Sequence, residues 1–297
     1  MTDFQPTRRS RPPKSANGHA AMCYSPADET LYLFAPSQRG GGIEMWAWTG
    51  AAWSKHADGI FDETHMGRPL AAYGKGDVHI FRAGDDQMWV ARLGDLDDET
   101  AYDAAGLQQG GAHGFAGLNS SNGHFLLSVP THGESTTYCF DGEAVMQIGE
   151  GPHLMSGCWD EANQRLVGVD INGMCHYLGA GGWQQLDLGF DRMGSDITFD
   201  PTRGRIVRLQ PESDDEMQLY GANPNGPAEP LGPRMRPYMA SPALGVDPGR
   251  EQVLSYGGQD FRKAGDWSDE TWVSGRGDDF QSTAVGGDVE LARYNTP

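Results

Sequence analysis

Four residues of this 297-residue chain belong to types that bind metals or carboxylates, and they fall at matching places in its sequence pattern. His19, Arg68 and His113 each lie five positions before the first residue of a recurring strand motif, and His153 lies six positions before another. Three facing imidazoles suit zinc or another borderline metal, and an arginine among them suits a carboxylate. The set predicts a metal or catalytic centre, a contact for a small ligand or peptide, or polar residues bridged by water in a channel.

The strand motif that places these residues recurs six times. Its anchors follow one another at steps of 40 to 49 residues and are Tyr24, Tyr73, Leu118, Trp159, Phe199 and Val246. A second apolar strand follows each anchor, at Leu31–Phe34, Val78–Phe81, Phe125–Val129, Leu166–Val169, Ile206–Leu209 and Val253–Tyr256. A third follows at Met45–Trp48, Met88–Val90, Thr137–Phe140, Met174–Tyr177, Met217–Tyr220 and Thr271–Val273.

A repeat of this length with short strands is typical of a propeller blade, because stacked blades bury sheet faces that one blade leaves exposed. We therefore predict an all-β chain, a six-bladed β-propeller of four-stranded antiparallel blades that forms one domain over residues 18–285. Residues 1–17 are predicted to be a flexible, basic and proline-rich arm, and residues 286–297 a tail that offers a candidate clasp strand. Most of the tryptophans fall at repeat positions, which favours packing between blades.

Several stretches resemble kelch repeats and galactose-oxidase-like propellers. They are Phe199-Asp-Pro-Thr-Arg-Gly-Arg-Ile-Val, Val246-Asp-Pro through Gly257-Gly258, Trp46-Ala-Trp48-Thr-Gly50, and the pair Trp267 and Trp272. The double glycine of the kelch pattern occurs after the second strand only at Gly257-Gly258. The resemblance implies a protein-binding propeller, and the similar kelch-type sialic acid mutarotases imply an enzymatic alternative.

Charge and composition narrow the classes of partner. The first 14 residues carry a net charge of +3, so the remaining 283 carry −22 against −19 for the whole chain. Such an acidic body repels phosphate backbones, which argues against nucleic acid and favours either a basic protein partner or simple solubility. No apolar run is long enough to span a bilayer, so we predict no membrane contact and a cytoplasmic protein. The four cysteines are predicted to be reduced core residues.

The leading functional interpretation is a non-catalytic propeller that binds a protein, for example a cytoplasmic inhibitor or immunity-type protein that engages a basic partner. Long charged loops between second and third strands open on the rim where each first strand begins, so this rim is predicted to bind. The candidate binding residues are Arg68, His132, Glu134, Asp214, Asp215, Tyr238, Asp260 and Arg262. The acidic stretch Gly94–Asp103 is predicted to protrude as a loop or short helix, and Asp58, Asp62 and His65 form a weaker metal candidate.

The alternative is an enzyme of the mutarotase or epimerase kind that acts on a sugar or small acid at the mouth of the central channel. Arg68 would bind a carboxylate, and His19, His113 or His153 would act as acid or base or hold a metal. No hydrolase nucleophile motif, zinc-protease helix, phosphate loop or dinucleotide fingerprint is present, and no cofactor is predicted. The two interpretations differ in whether the imidazoles converge.

Overall fold

The computed structural model describes most of the chain between residues 20 and 285. The described residues are 20–37, 42–61, 68–84, 86–107, 113–131, 133–190, 196–213, 216–223, 226–235, 239–240, 242–260, 266–267, 271–273 and 283–285. The predicted arm and tail lie outside them. Among the described residues no helix has the length and apolar character needed to cross a membrane.

Six antiparallel sheets of four strands each confirm the predicted propeller. The first strands of the blades are β1 (Ala21–Ser25), β5 (Leu70–Gly74), β9 (Phe115–Asn119), β13 (Leu154–Asp160), β17 (Ile197–Asp200) and β22 (Ala243–Asp247). The second strands are β2 (Thr30–Pro36), β6 (Asp77–Gly84), β10 (His124–Thr131), β14 (Arg165–Asp170), β18 (Arg205–Pro211) and β23 (Gln252–Tyr256).

The outer half of each blade follows the same order. The third strands are β3 (Ile43–Trp48), β7 (Gln87–Arg92), β11 (Glu134–Phe140), β15 (Cys175–Gly179), β19 (Met217–Ala222) and β26 (Thr271–Val273). The outermost strands are β4 (Trp53–Ile60), β8 (Asp95–Asp103), β12 (Val145–Pro152), β16 (Gly182–Leu186), β20 (Ala228–Met235) and β27 (Thr283–Val285). A small extra sheet joins β21 (Met239–Ala240), β24 (Gln259–Asp260) and β25 (Asp266–Trp267).

The first strands form a closed ring around a central channel, because each contacts the first strand of the blade before it and the blade after it. All six predicted anchors lie on these strands, and the predicted second and third strands overlap the observed ones. The acidic stretch Gly94–Asp103 was wrongly predicted to be a loop or helix. Its residues from Asp95 form the outermost strand β8, whose side chains are mostly exposed, so it lacks the apolar alternation of a buried strand.

The ring closes between blades six and one without an exchanged strand among the described residues. Leu33, Trp48 and Tyr256 belong to one buried cluster between these blades. The indole of Trp53 donates a hydrogen bond of 2.8 Å to Thr271 Oγ1 across the same junction. Buried apolar surface contributes roughly 25 cal/mol per Å² to the free energy of folding, so this cluster stabilises the junction between blades six and one.

The turns between first and second strands share one local design in blades four, five and six. The first strand ends in an aspartate, Asp160, Asp200 or Asp247, whose side chain is fully buried. In blade five, Asp200 Oδ1 accepts hydrogen bonds from Thr202 N and Arg203 N at 3.0 and 3.3 Å, and Oδ2 pairs with Arg203 Nη1 at 3.1 Å. The aspartate therefore fixes a tight turn, since its side chain bonds to backbone groups that follow it in the chain.

Candidate functional site

A buried ion pair lies at one end of the central channel. Arg68 stands two residues before β5 in blade two, and Asp196 stands one residue before β17 in blade five. Arg68 Nη2 donates to Asp196 Oδ2 at 2.6 Å, Nη1 donates to Oδ1 at 3.3 Å, and Nε donates to the Ala20 carbonyl at 3.0 Å. Both side chains are only 9% exposed.

The two partners of this pair come from opposite sides of the ring. Two blades lie between blade two and blade five in either direction around the ring of six, so the two blades are opposite each other and a contact between them must cross the channel. The two parallel hydrogen bonds hold the guanidinium and the carboxylate in one plane, which is the strongest geometry for such a pair. The lumen is therefore bridged at this end by two fixed, mutually neutralising charges.

Two histidines lie close to the pair. The ring centroids of His113 and His153 are 6.5 Å apart with their planes at 65°. Burial lowers the pKa of His113 from 6.5 to about 4, and the neighbouring positive charge of Arg68 adds to that effect while Asp196 opposes it. His113 is therefore a neutral imidazole at neutral pH, able to donate one hydrogen bond and to accept one.

The channel holds a cavity of about 400 Å³. All six first strands contribute to its wall, which shows that the cavity follows the axis of the propeller. Its wall includes the inner residues Met22, Cys23, Ala72, Tyr73, Ala116, Gly117, Gly157, Cys158, Thr198, Phe199, Gly245 and Val246. A space of this volume lies in the range of about 300 to 1,000 Å³ that small-molecule sites occupy.

The cavity has two different ends, which we call the loop end and the turn end. The loop end lies where each first strand begins, and there the wall consists of Arg68, Asp196, Gly114 and Ser156. The turn end lies where first strands turn into second strands, and there the wall consists of Pro26, Glu161, Pro201 and Pro248. His113 and His153 do not belong to the described wall of this cavity.

Aromatic anchors line the cavity near the turn end. Tyr24, Tyr73, Trp159 and Phe199 are each half-buried, and each packs against a different cluster between blades. The indole of Trp159 donates to Glu161 Oε2 at 2.8 Å. The anchors thus serve the packing expected from their repeat positions and also face the cavity.

The structure brings some of the predicted site residues to the channel and places others away from it. Arg68, His113 and His153 lie at the same end of the channel, where the count back from the anchors puts them. Glu134 is exposed at the start of β11 and does not line the cavity, and the backbone of Asp260 lies in β24. His19, Asp62, His65, His132, Asp214, Asp215, Tyr238 and Arg262 lie outside the described residues.

Two further points separate the structure from the sequence-based picture. Asp196 is not among the predicted site residues, and no signal in the sequence pairs it with Arg68, which lies 128 residues away. Asp58, one of the weaker metal candidates, instead pairs with Lys55 at 2.9 Å on β4. Within the described ranges no group of three or more His, Cys, Asp or Glu side chains is placed to hold a metal ion.

Comparison with known proteins supports the fold and leaves the kelch resemblance unconfirmed. No family model matches the chain, and no curated protein matches it. Similar solved structures include a triple arginine-to-alanine variant of AofleA from Arthrobotrys oligospora, with 14% identity, a TM-score of 0.60, and coverage of 90% of this chain and 87% of that one.

Two other similar structures are described by their sugar chemistry. The lectin of the fungus Aleuria aurantia, a six-bladed β-propeller with a described mode of fucose recognition, has 10% identity and a TM-score of 0.59, and covers 91% of this chain and 96% of its own. A gluconolactonase from Xanthomonas campestris has 12% identity and a TM-score of 0.52, and covers 80% of this chain and 83% of its own. At these identities the likeness extends to the fold, and the chain is a β-propeller similar to these proteins.

Proposed function

We propose that this protein binds a small, neutral, hydroxyl-rich molecule, a monosaccharide or a sugar lactone, in the cavity of its central channel. The observation that carries the proposal is the chemistry of the cavity wall. One end is a charge-compensated ion pair, and the other is bordered by half-buried aromatic side chains.

The charge balance of the ion pair favours a neutral ligand. Asp196 already neutralises Arg68, so an anionic ligand would have to displace a carboxylate that makes two hydrogen bonds to the guanidinium. A hydroxyl group meets no such competition, because it can donate to a free lone pair of Asp196 or accept from Arg68. The guanidinium has five N–H groups, of which three are used by Asp196 and the Ala20 carbonyl, which leaves two for a ligand.

The aromatic walls fit the other half of such a molecule. A pyranose ring has apolar C–H faces as well as hydroxyl groups, and aromatic side chains present large apolar surfaces at a low cost in conformational entropy. Tyr73, Trp159 and Phe199 provide such surfaces around the cavity. The similarity to a fucose-recognising lectin and to a gluconolactonase is compatible with this class of ligand, although a shared fold does not transfer a function.

Calorimetric titration tests this proposal. The probes are L-fucose, D-glucose and D-glucono-1,5-lactone, with D-gluconate as the anionic counterpart of the lactone. We expect binding of at least one neutral probe and much weaker binding of gluconate. Replacing the pair with apolar residues in Arg68→Met/Asp196→Leu removes hydrogen bonds to charged groups, each worth about 1.5 to 3 kcal/mol, so affinity falls about tenfold or more.

The matched control is Glu134→Gln, an exposed residue at the loop end outside the cavity, which leaves affinity unchanged. Gluconate binding as tightly as the lactone, or failure of all three neutral probes to bind, contradicts the proposal.

A second candidate function is the capture of a basic protein partner, and the acidic outer strand of blade two favours it. On β8, Asp95, Asp97, Asp98, Glu99 and Asp103 are all exposed. Such a surface steers a cationic partner by long-range attraction, which weakens as salt rises. Reversal of two charges in Asp97→Lys/Asp98→Lys is expected to abolish retention of a basic protein from the native cell extract at moderate salt, and unchanged retention contradicts this function.

An enzymatic role for the channel histidines remains a prediction. His113 is held neutral by burial and by the charge of Arg68, so it can accept a proton, but it is not part of the described cavity wall.

A further inference from the structure

The channel has two ends, and among the described residues the direct bond between opposite blades lies at only one of them. We propose that the Arg68–Asp196 pair closes the channel at the loop end, so that ligands reach the cavity from the turn end. This is the opposite of the prediction from the sequence, in which the long charged loops made the loop end the binding face.

The first step of the argument is the position of the pair. Arg68 from blade two and Asp196 from blade five meet at 2.6 Å, and Arg68 is held from a third direction by the Ala20 carbonyl of blade one. A guanidinium anchored by three hydrogen bonds cannot swing aside without leaving a largely buried carboxylate unpaired, which costs several kcal/mol. The pair is therefore a fixed bar across the lumen.

The second step is the contrast between the two ends of the cavity. At the turn end Pro26, Glu161 and Pro201 belong to the wall and are exposed to solvent. At the loop end the described part of the wall reaches Arg68 and Asp196, whose side chains are nearly buried. Among the described residues, the solvent-exposed part of the wall is therefore at the turns.

The third step concerns the histidines. His113 and His153 stand just before β9 and β13, at the same end of the channel as the pair, and neither belongs to the described wall of the cavity. A ligand that enters at the turn end therefore meets the aromatic anchors first.

Cysteine accessibility measures this route without any knowledge of the ligand. Thr198→Cys places a thiol on the half-buried cavity wall of β17, and its reaction with methyl methanethiosulfonate is followed by intact-protein mass spectrometry. The unsubstituted chain gives the background. Cys23 and Cys158 also line this cavity, but burial raises the pKa of Cys23 to about 12 and that of Cys158 well above its usual value, so their thiols react slowly and the background is low.

Two bulky substitutions then obstruct one end each in the Thr198→Cys background. Leu118→Trp fills the turn end of the cavity, where Leu118 is half-buried in the wall, and His153→Trp adds bulk at a half-buried position of the loop end, just before β13. We expect Leu118→Trp to slow modification of the introduced thiol about tenfold and His153→Trp to leave the rate unchanged, because thiol reactivity depends on access. The reverse order of effects would overturn the proposal.

Opening of the bar supplies the complementary measurement. Arg68→Ala/Asp196→Ala removes both charges together and so leaves no unpaired charge in the channel. Added to Leu118→Trp, it is expected to restore most of the lost modification rate by a second route through the loop end. A rate that stays low in folded protein, as judged by circular dichroism, contradicts the role of the bar. If the combined variant does not fold, the two single obstructions still decide the route.

The outcome is independent of the sugar titrations. A route through the turn end without any sugar binding would leave this inference standing and remove the proposed ligand class. Sugar binding with access from the loop end would do the opposite.

Discussion

The two ends of the channel are built by different means. At the turn end a local motif recurs in blades four, five and six, an anchor followed by a buried aspartate that organises its own turn, as Asp160, Asp200 and Asp247 do. At the loop end the main feature is a single pair, Arg68 and Asp196, that joins opposite blades. The repeated turns form a regular opening at one end of the channel, whereas the single contact between Arg68 and Asp196 closes the other end.

This difference has a consequence for how function is located on a propeller. Long and charged loops drew attention to the loop end, although the cavity meets solvent at the short and regular turn end. Loop length reports where sequence can vary, but access to a channel depends on what crosses it. Four measurements break or sharpen this contrast.

The largest effect is expected at the unique pair. Asp196→Ala leaves the guanidinium of Arg68 nearly buried with no carboxylate, and loss of one member of such a pair costs about 3 kcal/mol or more of unfolding free energy. Arg68→Ala/Asp196→Ala is expected to lose less than the single variant. Urea unfolding measures both, and a double variant less stable than Asp196→Ala would show that the two residues do not act as a pair.

The turn end is expected to respond next, at one blade at a time. Asp200→Ala leaves Thr202 N and Arg203 N without their acceptor, and the loss of a buried charged acceptor costs about 2 kcal/mol. The matched control is Asn119→Ala at the same turn position of blade three, where a half-buried neutral side chain accepts from Ser121 N. Thermal or urea unfolding should show the smaller loss, about 1 kcal/mol, for the control. Equal losses of unfolding free energy in the two variants would show that the buried charge of Asp200 adds nothing to the stability of its turn.

A pH effect distinguishes the loop end from the turn end. The pKa of His113 is about 4 in the folded protein against 6.5 ordinarily, so the unfolded state binds more protons between these values. His113 therefore contributes to the unfolding free energy above pH 6.5, and this contribution is lost as pH falls towards 4. The loss is on the order of 1 kcal/mol after allowance for partial exposure of the side chain. His113→Gln is expected to flatten the difference between pH 7 and pH 4.5, whereas His56→Gln, an exposed residue on β4, leaves it unchanged. If the unfolding free energy of His113→Gln still falls steeply between pH 7 and pH 4.5, the pH effect arises from a group other than His113.

The smallest effect is expected in the backbone of a turn. Glu251 has a φ of 54°, in the left-handed region that a non-glycine residue adopts at a cost. Glu251→Gly is expected to raise the unfolding free energy by about 0.5 kcal/mol, since relief of strain exceeds the entropy that glycine adds to the unfolded chain. Glu161→Gly, at an exposed turn position without a positive φ, provides the control and should be neutral or destabilising.

Much of the fold could be predicted from the sequence because its signals are local. A blade needs alternating apolar residues and a turn every few positions, and both recur through the chain at a regular spacing. The outer strand β8 escaped prediction for the same reason, since a strand exposed along its outer edge needs no apolar alternation and its acids looked like a loop.

The sequence by itself determined the number of blades, the anchors on the inner strands, and the presence of Arg68, His113 and His153 at one level of the ring. Only the tertiary structure decided that Arg68 meets Asp196 and that the exposed part of the described cavity wall lies at the turns. The strand pattern of a blade depends on residues that are neighbours in the sequence. A contact across the lumen depends on how six blades close into a ring, and the sequence of one repeat does not contain that information.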